Sequence, residues 1–284
     1  MFGFRPDGKK VRNLSPVFRV IPSVMIERAD AQVYFKQDIP LKTLDEYIDK
    51  KQSEGIRVTY MQIIYAAIVR IMGERPALNR FAINGSLYER DKIQVSLVIK
   101  KGLEDDSPET PIKLTYNGNE TIFEVIEKLD KAIIENKDLS ASNSTDKLAG
   151  ALSLVPDFLI RWAVKFLRFL DNYGLMPKAI INASPFHTSV FLTNVGSLGI
   201  DSIYHHLYNF GTTSMFFSMG KKKKSYIYED DDIHEEKCIT IAFVGDERIC
   251  DGYYYAASFK QLNKYLKKPE LLEQPMKDKE NICV

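Results

Sequence analysis

The sequence predicts a single α/β domain. Three observations lead there. Strand-like and helix-like segments are interspersed without the regular alternation that builds a parallel sheet. No internal repeat and no Pro/Gly/Ser-rich linker divides the 284 residues. An apolar fraction of 45% against 27% charged residues is enough to bury a core and keep the surface wet.

The elements follow in order. Residues 1–17 are rich in Gly, Pro and basic residues and read as an arm held by something else. "AQVYFKQDIP" (31–40) reads as a strand and "LKTLDEYIDKKQSEG" (41–55) as an amphipathic helix closed by Gly55. In "VTYMQIIYAAIVRIMGERP" Thr59 is the N-cap, Pro76 the stop, and the apolar residues fill most of the circumference, so this helix is buried. Asn84-Gly85 between short apolar runs marks a hairpin, followed by a further strand to about residue 102. "NETIFEVIEKLDKAIIENKD" is a second amphipathic helix and "LSASNSTDK" a loop. Three strands follow in "TSVFLTNVGSLGI", "TTSMFFSMG" and "CITIAFVG", and "YAASFKQLNKYLKKPELLEQ" closes as a helix.

Composition excludes some functions. With 39 basic and 38 acidic residues the net charge is +1, which gives no global field to attract nucleic acid. Cys238, Cys250 and Cys283 are scattered, odd in number and without metal-ligand spacing, as in a reducing compartment. There is no apolar h-region of a signal peptide and no uncharged apolar run of ~18 residues, so a cytoplasmic protein is expected. Lys221 to Lys224 and the acidic residues from Glu229 to Glu236 read as two charge runs facing each other near a hairpin tip. The alternative is that Lys221 and Lys222 attract the phosphates of a cofactor.

The segment "DERICDGYYYA" (246–256) couples a strand end to Asp251-Gly252, which suggests a tight turn, with Glu247 four positions before the Asp. It resembles the His-x-x-x-Asp-Gly signature of the superfamily of chloramphenicol acetyltransferases and the catalytic domains of dihydrolipoyl acyltransferases. "VTYMQIIYAAIVRIMGERPALNRFAINGSLYERDKIQVSLVIKKG", "NASPFHTSVFLTNVGSLGI" and "TSMFFSMGKKKKSYIYEDD" are similar, in the same order, to further parts of that family, from about Val33 to Leu272. The resemblance implies a chloramphenicol acetyltransferase-like fold, an α/β mixed sheet flanked by helices, with a homotrimer and active sites in channels between subunits. Coenzyme A or acyl-CoA would enter one end and a small-molecule or lipoyl-type acceptor the other. It implies an arm at 1–32, a catalytic domain at 33–284, and an oxyanion-donating hydroxyl at Thr193. It further implies a structural Asp251 and Gly252, and an Arg partner for Asp251 at Arg19, with Arg12 as runner-up.

The base position holds Glu247 instead of histidine. A histidine of pKa ~6.5 exchanges protons near neutrality, whereas a free glutamate at ~4.3 must be raised by burial to do so. His205 and His206 read as surface loop histidines, with a substitute base as the alternative, while His187, six residues before Thr193, is too distant. Cys250 within the signature reads as packing. Two functions stay open. One is an acyltransferase of the 2-oxo acid dehydrogenase type acting on a thiol or hydroxyl acceptor. The other is an inactive relative serving as trimeric scaffold or acyl-CoA binding protein.

A segment at about 148–180 departs from the family pattern. Asp157, Arg161, Lys165 and Arg168 share one face of a helix, with Phe158, Leu159, Trp162, Phe166, Leu167, Phe169 and Leu170 around the rest. Pro156 opens it and Gly174 ends it. The favoured reading is packing over the sheet or against a neighbouring subunit. A lid on an acyl pocket, or membrane contact through 152–170, is the alternative. The chain carries no lipoyl domain, so it is expected to stand alone or to serve a complex whose swinging arm is elsewhere.

Overall fold

The computed structural model describes residues 4–102, 109–137, 150, 155–229 and 231–276. The expected loop at 139–147 lies outside them, as do residues 148, 149 and 151–154. The chain begins with two short strands, β1 (Phe4–Arg5) and β2 (Gly8–Lys10), and helix α1 (Pro16–Val24). Then come β3 (Gln32–Pro40), α2 (Lys42–Ser53), α3 (Tyr60–Glu74), β4 (Arg80–Ile83), β5 (Ser86–Glu89), β6 (Ile93–Lys100) and β7 (Glu109–Tyr116). The second half holds α4 (Ile122–Lys137), α5 (Asp157–Asn172), α6 (Lys178–Ala183), β8 (Val190–Asn194), β9 (Met215–Glu229), β10 (Asp232–Asp246) and α7 (Gly252–Lys267).

Six strands form the main sheet in the order β3-β10-β9-β8-β6-β7, and β1-β2-β5-β4 make a smaller one. Pairings β6–β8 and β8–β9 are parallel and the rest antiparallel, a mixed sheet. Residues 8–10 are tied down by β5 through Lys9↔Glu89 and Lys10↔Tyr88.

Helix α3 runs through the core. A capping box starts it: the Thr59 hydroxyl accepts from Gln62 N while the Gln62 side chain accepts from Thr59 N. Eleven of its residues, Gln62 to Met72, are buried, and they pack against α4, α7 and β6. Its one buried cation, Arg70, donates to the carbonyls of Glu120 and Gln274, so the guanidinium is not left unpaired. The Asn84-Gly85 turn has φ of 46° and 65°, left-handed at both residues, as a two-residue hairpin requires.

One expected element ends early. Helix α7 stops at Lys267, because Pro269 drives Lys268 out of the helical region (φ −141°, ψ 74°), and a 3₁₀ turn, Pro269–Glu273, follows. Strand β7 was not read from the sequence. It lies on the sheet edge, where Pro111 is tolerated, and Pro111 breaks the pattern that marks a strand.

One face of α5 is turned inward and the rest is exposed. Ile160, Ala163, Leu167 and Leu170 are half-buried, while most of its aromatic residues face solvent. What holds the helix is polar. Asp171 is 2% exposed, pairs with Arg5 of β1, and lies 3.1 Å from His187 Nε2, whose Nδ1 is 2.8 Å from Ser184 Oγ. Arg5 also pairs with Asp7 at 2.9 Å.

Burial alone would raise the Asp171 pKa, but His187 and Arg5 outweigh it and hold the carboxyl below its ordinary value. A carboxyl depressed in the folded state contributes stability above the unfolded value of ~3.9 and loses it as pH falls through the folded value. Denaturant midpoints are therefore expected to drop more steeply below about pH 4 in the wild type than in Asp171→Asn, which lacks this contribution at every pH. Parallel slopes for the two proteins would show that the pair contributes nothing.

Candidate active site

Thr193 is the fourth residue of β8 and pairs with Ser218 of β9. Its side chain follows the parity of Phe191 and so lies on the sheet face turned away from α3. It is half-buried, and its hydroxyl makes no hydrogen bond among the described residues. The next turn brings backbones together: a Cβ on Gly196 would sit 2.3 Å from the Gly220 carbonyl oxygen, so only glycine fits. Beside this turn, at the N-terminus of α3, opens a cleft of about 370 Å³ lined by Tyr60, Met61, Asn194, Gly196, Lys221 and Lys222. Lys222 Nζ donates to the Tyr60 hydroxyl at 3.1 Å and sits 4.2 Å above its ring, and both lysines are exposed.

Among the described residues the lysine run meets the acidic run only through Lys224. Lys222 pairs with Ile239, Lys223 with Cys238 and Lys224 with Lys237, well back from the hairpin tip. Lys223 meets Asp201 at 3.0 Å and Asp38 at 3.6 Å, and Lys224 reaches Glu235 at 2.7 Å. Strand length, which the composition of the runs does not reveal, sets this register.

Glu247 follows the last residue of β10. Its N–H donates to Ala31 O at 2.8 Å, which fixes the backbone. Its carboxylate is half-buried and has no hydrogen bond or ion pair among the described residues. Its neighbours are fully engaged. Asp246 accepts from Arg248 Nε at 2.8 Å and Nη2 at 2.7 Å and lies 3.5 Å from Arg28 Nε. Arg248 Nη1 also donates to the carbonyls of Met25 and Ile26. Arg248 therefore does not pair with Glu247.

Asp251 does not make the expected ion pair with Arg19 within this chain. Arg19 and Arg12 are exposed, and the Asp251 carboxylate instead caps α7, accepting from Tyr254 N at 2.7 Å. Gly252 is the first residue of α7 and has no positive φ, so a helix start replaces the expected tight turn. Burial pushes the Cys250 thiol up to about 12, which keeps it protonated in the core. A cleft of about 380 Å³ beside it is lined by Leu14, Phe18, Arg80, Cys250, Asp251 and Tyr254. Of Tyr253, Tyr254 and Tyr255 in the first turn of α7, Tyr255 is core and donates to Asp246 O at 2.9 Å, while Tyr253 is 84% exposed.

Three of the four histidines fall in two places. His205 stacks on Phe216 (centroids 4.0 Å, interplanar angle 6°), and Leu207 N donates to Gln32 Oε1, opposite Asp246. The pair His205–His206 thus lies over the Glu247 end of the sheet. Burial lowers the His205 pKa. His187 is enclosed in the Asp171–Ser184 contact, and with all three buried this is an anchor for α5.

Thr193 and Glu247 do not meet in one chain. Thr193 pairs with Ser218, Ser218 with Ala242, and Glu247 lies five residues beyond. At ~3.3 Å per residue and ~4.8 Å per strand this is roughly 19 Å.

Residues 185–273, which include both, match the family model described as 2-oxoacid dehydrogenases acyltransferase (catalytic domain). A probable dihydrolipoamide acetyltransferase of Listeria monocytogenes 4b F2365 superposes with a TM-score of 0.56 at 14% identity, over 97% of this chain and 98% of its own. A chloramphenicol acetyltransferase superposes with a TM-score of 0.53 at 12% identity, over 92% and 100%. The fold is that of the acyltransferase catalytic domain. A dihydrolipoamide acetyltransferase of Azotobacter vinelandii shares the acyltransferase fold, with a TM-score of 0.55 at 10% identity over 92% and 94%. In that enzyme a serine, a histidine and an asparagine were investigated for roles in the catalytic mechanism. No curated protein sequence matches the chain. No helix among the described residues is long and apolar enough to cross a membrane.

Proposed function

We propose that the protein is a coenzyme A-dependent acyltransferase of the 2-oxo acid dehydrogenase type, working as a homotrimer with each site shared by two copies. One observation carries this. Among the described residues Thr193 and Glu247 present side chains without partners, while the polar groups around Glu247 are tied into ion pairs and caps. The separation of roughly 19 Å within one chain fits a hydroxyl and a carboxylate supplied by different copies. In the reaction, Thr193 Oγ1 donates to the oxyanion of the tetrahedral intermediate. The Glu247 carboxylate takes the proton of the attacking thiol or hydroxyl and returns it to the departing thiolate. Lys221 and Lys222, beside the N-terminus of α3, suit the phosphates of an acyl-CoA substrate.

The glutamate itself favours a second reading. A free carboxyl at ~4.3 lies about four units below a thiol at ~8.5, twice the gap that imidazole leaves, so the base is weak unless the neighbouring copy desolvates it. The protein would then be a trimeric scaffold or acyl-CoA binding protein.

Thiol release from acyl-CoAs of increasing chain length, acetyl to palmitoyl, separates the two. Turnover by the wild type that falls ~10²–10³-fold in Thr193→Ala supports the enzyme. A silent wild type beside an active Glu247→His supports the second reading, and silence from both excludes this site as a catalyst.

A further inference from the structure

Helix α5 presents a surface that neither the fold nor acyl transfer uses. At ~100° per residue its side chains divide into three arcs. Ile160, Ala163, Leu167 and Leu170 face the body of the protein. Arg161, Lys165 and Arg168 lie on a polar edge. Between that edge and the opposite border of the packed face lie Phe158, Leu159, Trp162, Phe166, Phe169 and Tyr173, all exposed, from 43% for Leu159 to 69% for Phe158. Trp162 and Phe166 stack on each other at 5.5 Å, turned outward. At ~200 Å² for a large side chain the arc exposes roughly 700 Å² of apolar surface. The largest patch on a typical monomer is ~300–600 Å².

Charge identifies the occupant. The chain as a whole is balanced, 39 basic residues against 38 acidic. Along residues 157–178 the exposed charges are Arg161, Lys165, Arg168 and Lys178 against Asp157 alone, since Asp171 is buried on Arg5. The contact of Arg168 with Glu27, at 3.1 Å and nearly half exposed on both sides, leaves the edge cationic. Two copies meeting antiparallel through this same face would bring like-charged edges together. An anionic lipid surface complements both parts, accepting the aromatic arc at the acyl boundary and the cations among its headgroups. Tryptophan and tyrosine favour that depth.

We infer that α5 is an interfacial anchor that lays the protein on an anionic membrane surface. The helix lies in the plane of the interface and does not cross it. The polar Arg5–Asp171–His187 attachment leaves the aromatic arc free to insert. This inference is independent of acyl transfer, and its test reads no activity.

Trp162 is the only tryptophan, so its emission reports directly on the arc. The full chain is titrated with vesicles of phosphatidylcholine alone and of phosphatidylcholine mixed with phosphatidylglycerol. On the mixed vesicles the emission is expected to shift to the blue and become protected from acrylamide. Binding should be more than ~10-fold weaker on the neutral vesicles, and weakened equally by high salt or by Arg161→Glu with Lys165→Glu. Phe158→Ser with Phe169→Ser should abolish co-sedimentation while the far-UV circular dichroism stays that of the wild type. Unchanged emission on both vesicles overturns the inference, as does equal binding to both. So does a vesicle-free blue shift that disappears on dilution, which would show the arc covered by another copy.

Discussion

Mixing two inactive variants, Thr193→Ala and Glu247→Gln, is expected to restore about a quarter of wild-type turnover. On the proposed mechanism each variant alone loses a group that acts only in the reaction, at a cost of ~10²–10³-fold for the oxyanion donor and ~10²–10⁴-fold for the base. In a closed ring of copies each site takes its hydroxyl from one copy and its carboxylate from the next. With random mixing, one ordered pairing in about four unites an intact Thr193 with an intact Glu247. The copies must be co-expressed or refolded together so that subunits exchange. No recovery in mixed oligomers, with both variants folded, would sink the shared site. The distance across β8, β9 and β10 already separates the two residues within one chain.

Asp246→Ala is expected to be the most destabilising change near the site, costing about 3–5 kcal/mol. Asp246 is fully buried and is the shared counter-charge of Arg28 and Arg248, themselves 4% and 3% exposed. Burial lowers the Arg28 pKa to about 10 even with Asp246 in place. Removing the carboxylate leaves two guanidinium groups in the interior, compensated only by carbonyls such as those of Tyr208 and Ala82. Guanidinium denaturation gives the value. Arg168→Ala is the control, since its exposed ion pair with Glu27 contributes ~1 kcal/mol at most. A loss below ~1 kcal/mol in Asp246→Ala would mean that water reaches the network and the turn is not locked.

Much of this architecture was legible in the residues. Thr59, Gly55 and Asn84-Gly85 carry local chemistry that acts over three or four positions, and the structure places a cap, a helix end and a hairpin there. The ordered similarities from Val33 to Leu272 pointed to the acyltransferase fold. Asp246, Arg248 and Arg28 were missed as a group, because their partnership joins residues more than 200 positions apart and no local pattern announces it. The adjacent Asp-x-Arg of 246–248 was the available signal. Asp251 was misjudged for a related reason: an Asp before a helix has a cap to make at short range, and that contact prevails over a distant arginine. Helix α5 was legible as a helix, but which of its apolar faces turned inward depended on Asp171 finding Arg5 and His187.

The order of strands in the main sheet also governs how the chain assembles. β3, from residues 32–40, pairs along its whole length with β10, about 200 residues later. β9 and β10 by contrast are consecutive fifteen-residue strands that zip from a single turn. The local hairpin can form as soon as it exists, whereas β3 must wait until residue 246 has been synthesised before it finds its neighbour. Through most of translation, then, β3 is an unpaired strand, and the β9–β10 ribbon is the template that ends its exposure.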